Sequence, residues 1–395
     1  MGNLCGRVGR RQAILANDGH SVVVNRAGCC LRGFPATQPH SGLHGQSGAR
    51  SSFVASKVVA LALGLALAAC RAPLPMAERR ASAPAASLRA PAGPGGTSEQ
   101  LTLTAALPIR APEHFQPSAL ALDRGRLLTV SDHEDGAIYW LELGETAAQA
   151  RPYVTFSVPE EAAGEVAPAG SRVSGPLDFE ALVRIGEGRF WILSEGRYRV
   201  LEVVAAGDLP GPGRARWLTA SFELVGRAAG LFQVPGGDVE GLARSANGGL
   251  LIAAERQPRG LLELPPSLVL GAARVWALPD AAYQLPRQRP PDFADLAVVE
   301  GAVFALVRNA HLVVRLTRAP DGWREGRSWS YAAVENDPRW VYADAKFGLG
   351  EGLAISEQEV FVVLDNNELP RAAAPADRRA QLFRFPRPPA LLAPD

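Results

Sequence analysis

The sequence has 395 residues, of which 47% are hydrophobic and 21% charged, which provides enough apolar material for a packed core and excludes global disorder. Lys and Arg (41) nearly balance Asp and Glu (40), so the net charge of +1 disfavours nucleic-acid binding as the main task. All four cysteines lie at or before Cys70. A disulfide-stapled core, a cysteine metal site and a cysteine nucleophile are therefore excluded from the rest of the chain.

A short apolar run near the N-terminus is typical of an export signal. Residues 58–69 (VVALALGLALAA) follow Lys57 and are fewer than the roughly 20 apolar residues that span a bilayer. The run ends in Leu-Ala-Ala-Cys70, which resembles the bacterial lipoprotein signal, in which the cysteine becomes the lipidated first residue. We therefore predict a signal peptide at 54–69 and a lipid anchor on Cys70.

Two further segments flank this signal. Residues 1–53 show no sustained periodicity, and we interpret them as an extension from a start codon assigned too early. Residues 70–100 are rich in Ala, Pro, Ser and Gly, and we predict a disordered tether because this composition buries too little apolar surface to fold. The expected location is the periplasmic side of the cell envelope, with membrane contact through the lipid anchor only. Arg71 after the cysteine resembles the sorting pattern of Gram-negative lipoproteins, which implies the outer membrane.

From 101 to 389 one pattern recurs five times. Each repeat begins with a short apolar strand and continues through a turn into a strongly apolar strand, usually followed by a third. Successive repeats are 55 to 62 residues apart, which is typical of β-propeller blades built from short antiparallel strands. We predict an all-β fold, a β-propeller with five recognisable blades, or six if one has degenerated. The segments LTLTAALPI and QLFRF are expected to complete one blade together and close the ring.

Acidic residues recur at two fixed positions of the repeat, 14 or 15 residues apart. Antiparallel strands place the start of the first strand and the end of the second on the same face, so both positions are expected at one mouth of the central channel. The inner position is occupied by Ser118 in the first repeat and then by Glu180, Glu240, Asp295 and Glu351. The outer ring is formed by Asp132, Glu195, Glu255 and Asp365, with Asn309 in the fourth repeat.

Four converging carboxylates repel one another unless they are protonated or share a cation. Oxygen donors favour Ca²⁺, and the sparse histidines and absent thiols argue against zinc. We therefore predict a Ca²⁺ site with the ligands Glu180, Glu240, Asp295 and Glu351. The alternative is that each acid accepts hydrogen bonds from backbone N–H groups of the neighbouring blade and acts as a latch.

Basic side chains accompany the outer ring. Arg197, Arg256 and Arg308 lie next to outer positions, and His133 follows Asp132. Arg197 and Arg256 are candidate catalytic residues that would clamp an anionic substrate, and His133 is the candidate general base. The alternative is ordinary salt bridging between each arginine and its neighbouring acid. No G-x-S-x-G, P-loop or HExxH motif is present.

The segments DFEAL…FWILSEGR, DVEGL…LLIAAERQ and GLGEGLA…VFVVLDNN resemble the bacterial phytase-like family, also called esterase-like phytases, over most of 113–386. The D-x-E-G-L-A pattern also resembles calcium-dependent propellers of the gluconolactonase and paraoxonase type. The resemblance implies a calcium-occupied channel and phosphoester or ester hydrolysis. It extends to Glu180, Glu240 and Glu351, with Asp295 as a shifted equivalent, whereas Ser118 departs from the pattern.

Two functions are therefore expected from the sequence. The first is a monomeric calcium-dependent hydrolase that acts on a small anionic phosphoester or ester. The second is a non-catalytic propeller with a structural calcium, whose face binds a ligand or an envelope protein. The fold alone does not choose between them, because propellers host both kinds of activity.

Overall fold

Apolar runs separated by glycine-containing turns form short antiparallel strands throughout the part of the chain that the structure describes. The computed structural model describes residues 98–393, apart from 161–176, 282, 284 and 286–288. All of these residues belong to the unit Ala81–Asp395, the second of two units in the chain.

The strands group into five blades. Blade 1 contains β3 (Ala121–Asp123), β4 (Arg126–Ser131), β5 (Glu134–Leu143) and β6 (Ala148–Thr155). Blade 2 contains β7 (Phe179–Gly186), β8 (Arg189–Ser194), β9 (Arg199–Ala205) and β10 (Gly211–Trp217). Blade 3 contains β11 (Val239–Arg244), β12 (Leu250–Ala254), β13 (Gly260–Leu264) and β14 (Arg274–Ala277).

The last two blades include strands from the start of the described region. Blade 4 contains β15 (Asp295–Val299), β16 (Ala302–Val307), β17 (Leu312–Ala319), β18 (Gly322–Ser330) and the edge strand β1 (Glu99–Gln100). Blade 5 contains β19 (Gly350–Ile355), β20 (Glu359–Leu364), β21 (Gln381–Pro386) and β2 (Ala105–Arg110). The helices are short: α1 (Glu223–Ala228), α2 (Ala332–Glu335) and the 3-10 turns Leu270–Ala272 and Arg308–Ala310.

The first strands of the blades form a closed ring. Strand β3 contacts β7, β7 contacts β11, β11 contacts β15, β15 contacts β19, and β19 returns to β3. The ring therefore has five members, which confirms the propeller and decides between five and six blades. Strand β2 pairs antiparallel with β21, from Ala105 opposite Arg384 to Pro108 opposite Gln381, so the predicted closure of the ring is present.

The core lies between the blades. Five clusters of buried apolar side chains each fill the space between two neighbouring blades. Phe304 and Trp329, for example, are buried between blades 4 and 5 with ring centroids 6.1 Å apart. Complete burial of one large apolar side chain stabilises a fold by about 1.5–3 kcal/mol. The blades therefore form a rigid support for the residues at the channel mouth.

The described strands and core residues extend slightly beyond the predicted propeller bounds at both ends. Glu99 and Gln100, expected in the tether, pair in parallel with Trp329 and Ser330. Leu391, beyond the expected end at 389, is buried in the cluster between blades 4 and 5. The sequence does not indicate either extension, because a two-residue polar edge strand has no hydrophobic period and the C-terminal segment has no regular strand pattern.

The predictions for the N-terminal region lie outside the described residues: the extension 1–53, the signal 54–69, Cys70 and the tether up to residue 97. Within the described part, no helix has the length and apolar character needed to cross a membrane.

Candidate functional site

Three first strands carry their acid at a β-bulge. Glu180 in β7, Glu240 in β11 and Glu351 in β19 each lie at a register shift against the second strand. A bulge leaves one residue out of the ladder and redirects its side chain. At Gly352, directly after Glu351, a Cβ atom would lie 2.5 Å from the carbonyl carbon of Ala119 in blade 1. Glycine therefore allows neighbouring first strands to approach closely around the channel.

The outer acids follow the second strands directly: Asp132, Glu195, Glu255 and Asp365. Backbone hydrogen bonds tie these positions to the start of the first strand in the same blade. The N–H of Glu195 donates to the carbonyl of Asp178 at 2.8 Å, and the N–H of Glu255 donates to the carbonyl of Asp238 at 2.9 Å. Both sets of acids therefore lie on one face of the propeller. In blade 4, Asn309 lies within the 3-10 turn.

This face contains a cavity of about 440 Å³ at the channel mouth. Its lining includes the predicted acids Asp132, Glu180, Glu240, Glu255, Glu351 and Asp365 and the bases Arg256 and Arg308. Four predicted site residues are not part of the lining: Asp295, Glu195, His133 and Arg197. The structure thus brings together most, but not all, of the residues selected from the sequence.

Arg308 provides positive charge at the centre of one half of this mouth. It forms ion pairs with Glu255 and Glu351, its Nε lies 3.2 Å from Oδ2 of Asp292, and its Nη2 lies 3.7 Å from Oε1 of Glu240. Burial alone lowers the pKa of Arg308, but the surrounding carboxylates, led by Glu351, raise it well above its usual value. Arg308 therefore carries a full positive charge among these acids.

Asp295 makes a different set of contacts. Its Oδ1 accepts the N–H of Leu296 at 2.7 Å, its Oδ2 accepts the N–H of Leu353 at 2.7 Å, and the N–H of Leu120 also donates to this carboxylate. These contacts correspond to the latch alternative. The four inner residues predicted as Ca²⁺ ligands therefore do not converge as one set, because Arg308 engages Glu240 and Glu351 and backbone groups engage Asp295.

A different group of three acids does converge. Carboxylate oxygens of Asp132, Asp178 and Glu180 all lie within 4.8 Å of one another, the only such group in the described ranges. Oδ1 of Asp132 is buried without a hydrogen-bond partner. Glu180 is 8% exposed and makes no hydrogen bond or ion pair with any residue of the described part. These all-oxygen donors fit a hard cation such as Ca²⁺.

Burial and the repulsion of neighbouring carboxylates raise the pKa of two of these acids, Asp132 and Glu180. Burial raises the pKa of Asp132 to about 8, and the charges of Asp365 and Asp178 contribute to the increase. Burial, followed by repulsion from Glu240, raises the pKa of Glu180 well above its usual value. A cation that binds here must therefore displace protons, so its affinity depends on pH.

The three candidate catalytic residues have different environments. Arg256 lines the cavity and forms an ion pair with Glu255. His133 has 53% of its side chain exposed, and its Nε2 lies 3.8 Å from Oδ2 of Asp132. Arg197 donates to the carbonyl of Gly196 at 3.2 Å. Only Arg256 among the three is positioned to contact a molecule inside the cavity.

Sequence reasoning missed Asp178 and Asp292 as site residues and did not identify the central position of Arg308. The signal for Asp178 was present in the D-x-E pattern, where it precedes Glu180 by two residues. Asp238 and Asp292 occupy the corresponding place in the next two repeats. The position of Arg308 depends on the 3-10 turn Arg308–Ala310, which the repeat pattern does not indicate.

No family model matches the chain, and no curated protein matches it. Among solved structures, the chain is similar to glutaminyl cyclase of Myxococcus xanthus, with 14% identity, 73% of this chain and 100% of that chain covered, and a TM-score of 0.42. It is also similar to the PQQ-bound aldose sugar dehydrogenase of Streptomyces coelicolor (12% identity, 73% and 98% covered, TM-score 0.39) and to virginiamycin B lyase of Staphylococcus aureus (10%, 72% and 74%, 0.33). At these levels the assignment of the propeller rests on the strand order and the closed ring described above.

Proposed function

We propose that the protein is a calcium-dependent hydrolase of phosphoesters or esters, with the cation held by Asp132, Asp178 and Glu180. The observation that carries the proposal is the environment of Glu180, a buried carboxylate beside two other acids and without a counter-charge. Burying an ionised carboxylate costs several kcal/mol unless a positive partner is present. A divalent cation supplies that partner and occupies the three oxygen donors.

The proposed ligand set differs from the set predicted from the sequence. Glu240 and Glu351 already have Arg308 as a positive neighbour, and backbone N–H groups already satisfy Asp295. The proposed set therefore retains Glu180 from the inner acids, includes Asp132 from the outer ring, and adds Asp178.

The cavity residues have complementary roles in the proposed reaction. A bound calcium ion supplies a Lewis acid that polarises a phosphoryl or carbonyl oxygen. Arg256 lines the cavity and binds an anionic oxygen of the substrate. Asp365 lines the same cavity, and burial raises its pKa to about 6, so it is suited to accept a proton from the attacking water near neutral pH.

The resemblance to phytase-like lipoproteins supports the same proposal. On this basis we place the protein at the periplasmic side of the cell envelope, anchored through Cys70 and acting as a monomer on a small anionic substrate. A non-catalytic propeller with a structural calcium is the second candidate. It is favoured by Arg308 and Asp295, since both join different blades and show that charged groups at the mouth already stabilise the ring.

The experiment combines calcium binding with a substrate screen. The purified protein is treated with chelator, titrated with Ca²⁺ in a calorimeter, and assayed against aryl phosphates and aryl esters with and without Ca²⁺. Calcium-dependent turnover that is lost in Asp178→Asn, with the fold retained, supports the hydrolase. Calcium binding without turnover of any substrate supports the non-catalytic propeller. Absence of calcium binding in the wild-type protein rejects both.

A further inference from the structure

The loop before β19 carries two exposed residues into the lining of the acidic cavity. Lys346 and Phe347 are both exposed and both line the cavity. The loop is held at its two ends: the N–H of Ala343 donates to the carbonyl of Pro370 at 2.8 Å, and the N–H of Leu349 donates to Oε1 of Glu335 at 2.9 Å. The exposed pair therefore lies between two anchored positions.

The loop is also packed against the central arginine. A Cβ atom at Gly348 would lie 1.9 Å from the carbonyl oxygen of Arg308, so a side chain at this position is excluded. Arg308 is itself held by its carboxylate partners. The close approach at Gly348 thus fixes where Lys346 and Phe347 lie relative to the charged residues of the mouth.

Phe347 leaves an aromatic ring accessible at this position. Its exposure is 54%, and no other Phe, Tyr or Trp of the described part is more than half exposed. The guanidinium of Arg289 lies 5.9 Å from the ring centroid. Exposed aromatic side chains favour contact with flat or apolar groups, because burying them against a ligand removes apolar surface from water.

Lys346 is a cation of the cavity without a carboxylate partner. The chain has 41 basic residues, and only Lys57 and Lys346 are lysines. Arg256 and Arg308 in the same lining are engaged by acids, whereas Lys346 makes no ion pair or hydrogen bond with a described residue. Its ammonium group therefore remains available to an incoming anion.

We propose that Lys346 and Phe347 form a recognition lip that selects substrates carrying an anionic group next to an aromatic ring, such as aryl phosphate monoesters. The inference deepens the proposed function and rests on it. Lys346 binds the anionic oxygens, and Phe347 packs against the ring of the substrate. Both residues act in binding, so they set specificity rather than take part in bond cleavage.

The test uses two non-hydrolysable probes, phenylphosphonate and methylphosphonate, titrated into the calcium-loaded protein in a calorimeter. The wild-type protein is expected to bind phenylphosphonate about fivefold to tenfold more tightly, in line with the energy of one aromatic pair. Phe347→Ala removes this preference and leaves the methylphosphonate affinity unchanged. Lys346→Gln weakens both probes by about tenfold, and Lys346→Arg restores most of the affinity.

Two matched controls lie away from the cavity. Leu224→Ala changes another exposed apolar side chain, and Arg274→Gln changes another exposed cation, so neither is expected to alter either affinity. The proposed recognition lip is rejected if the wild-type protein binds the two probes with equal affinity, or if Phe347→Ala still prefers phenylphosphonate. If the protein prefers phenylphosphonate but turns over no ester, the proposed hydrolase is rejected and the recognition lip is retained. If the protein turns over esters but does not prefer phenylphosphonate, only the recognition lip is rejected.

Discussion

The Oδ2 atom of Asp295 in blade 4 accepts the backbone N–H of Leu353 in blade 5 at 2.7 Å. The same carboxylate also accepts N–H groups from Leu296 in its own strand and from Leu120 near the first strand of blade 1. One buried side chain therefore joins three blades at the channel. This role is structural, and it separates Asp295 from the acids that form the proposed cation site.

We expect Asp295→Ala to lower the free energy of unfolding by about 2–4 kcal/mol, because buried N–H groups lose their acceptor. Asp295→Asn retains one carbonyl oxygen and is expected to lose less. Urea denaturation measures both changes, with Asp321→Ala as an exposed control that changes stability by less than about 0.5 kcal/mol. Unchanged stability combined with lost calcium binding would instead return Asp295 to the ligand set.

A pair of glutamate variants distinguishes the two ligand sets. Glu180→Gln removes a charge that has no protein partner, so the calcium affinity should fall by about tenfold or more, which corresponds to about 1.4 kcal/mol per tenfold. Glu240→Gln changes an acid that already has Arg308 as a positive neighbour, and we expect a change of less than about threefold. Calorimetric titration with Ca²⁺ measures both. The reverse order of effects would favour the ligands predicted from the sequence.

Removal of the central arginine should destabilise the ring. Arg308→Met leaves several buried carboxylates without a counter-charge, and we expect a loss of about 3–5 kcal/mol at pH 7. Burial raises the pKa of Asp292 and Glu351, so protonation of these two acids at pH 5 should reduce the loss by removing uncompensated charge. Denaturation at the two pH values measures the effect, with Arg256→Gln as the control at a more exposed arginine. An equal loss at both pH values would contradict the electrostatic explanation.

The stability of the calcium-free protein should fall as the pH rises from about 5 to 8. The pKa values of Asp132 and Glu195 are raised to about 8, mainly by burial, so the folded protein holds protons that the unfolded chain releases above pH 4. The unfolded state is therefore favoured progressively across this window, and the effect is complete once the pH exceeds 8.

Calcium should reverse this trend, because it replaces the protons. The increase in melting temperature caused by Ca²⁺ is expected to grow from pH 5 to pH 8. Thermal unfolding in chelator and in Ca²⁺ at several pH values measures it, and Asp132→Asn should flatten the pH dependence. A calcium effect of the same size at every pH would show that these acids are not the ligands.

The repeat in the sequence was sufficient to predict the propeller and the face that carries the acids. Strand alternation and a constant separation of 14 or 15 residues place Glu180 and Glu195 at the same end of an antiparallel pair, and the structure has this arrangement. The pairing of Ala105–Arg110 with Gln381–Pro386 was also predictable, because the fifth repeat ends with its third strand, QLFRFP, and no fourth strand follows it in the sequence.

The grouping of the acids was not predictable, because it depends on backbone detail. The bulge at Glu180 and the left-handed conformation of Asp178, with φ of 55°, bring these two side chains toward Asp132. Asp292 and Asp295 are separated by one residue more than the corresponding pairs, and this shift directs Asp295 to backbone groups. Repeat spacing specifies the position of a residue along its strand, whereas the contacts of its side chain depend on such local deviations.

The strand Ala105–Arg110 obtains its antiparallel partner from Gln381–Pro386, and its other pairing, parallel to β6, involves only Ile109 and Arg110. During synthesis, Ala105–Arg110 lacks its antiparallel partner until Gln381–Pro386 has emerged from the ribosome, and the ring of blades can close only then. Closure of the ring is therefore a late event that no shorter nascent segment can accomplish.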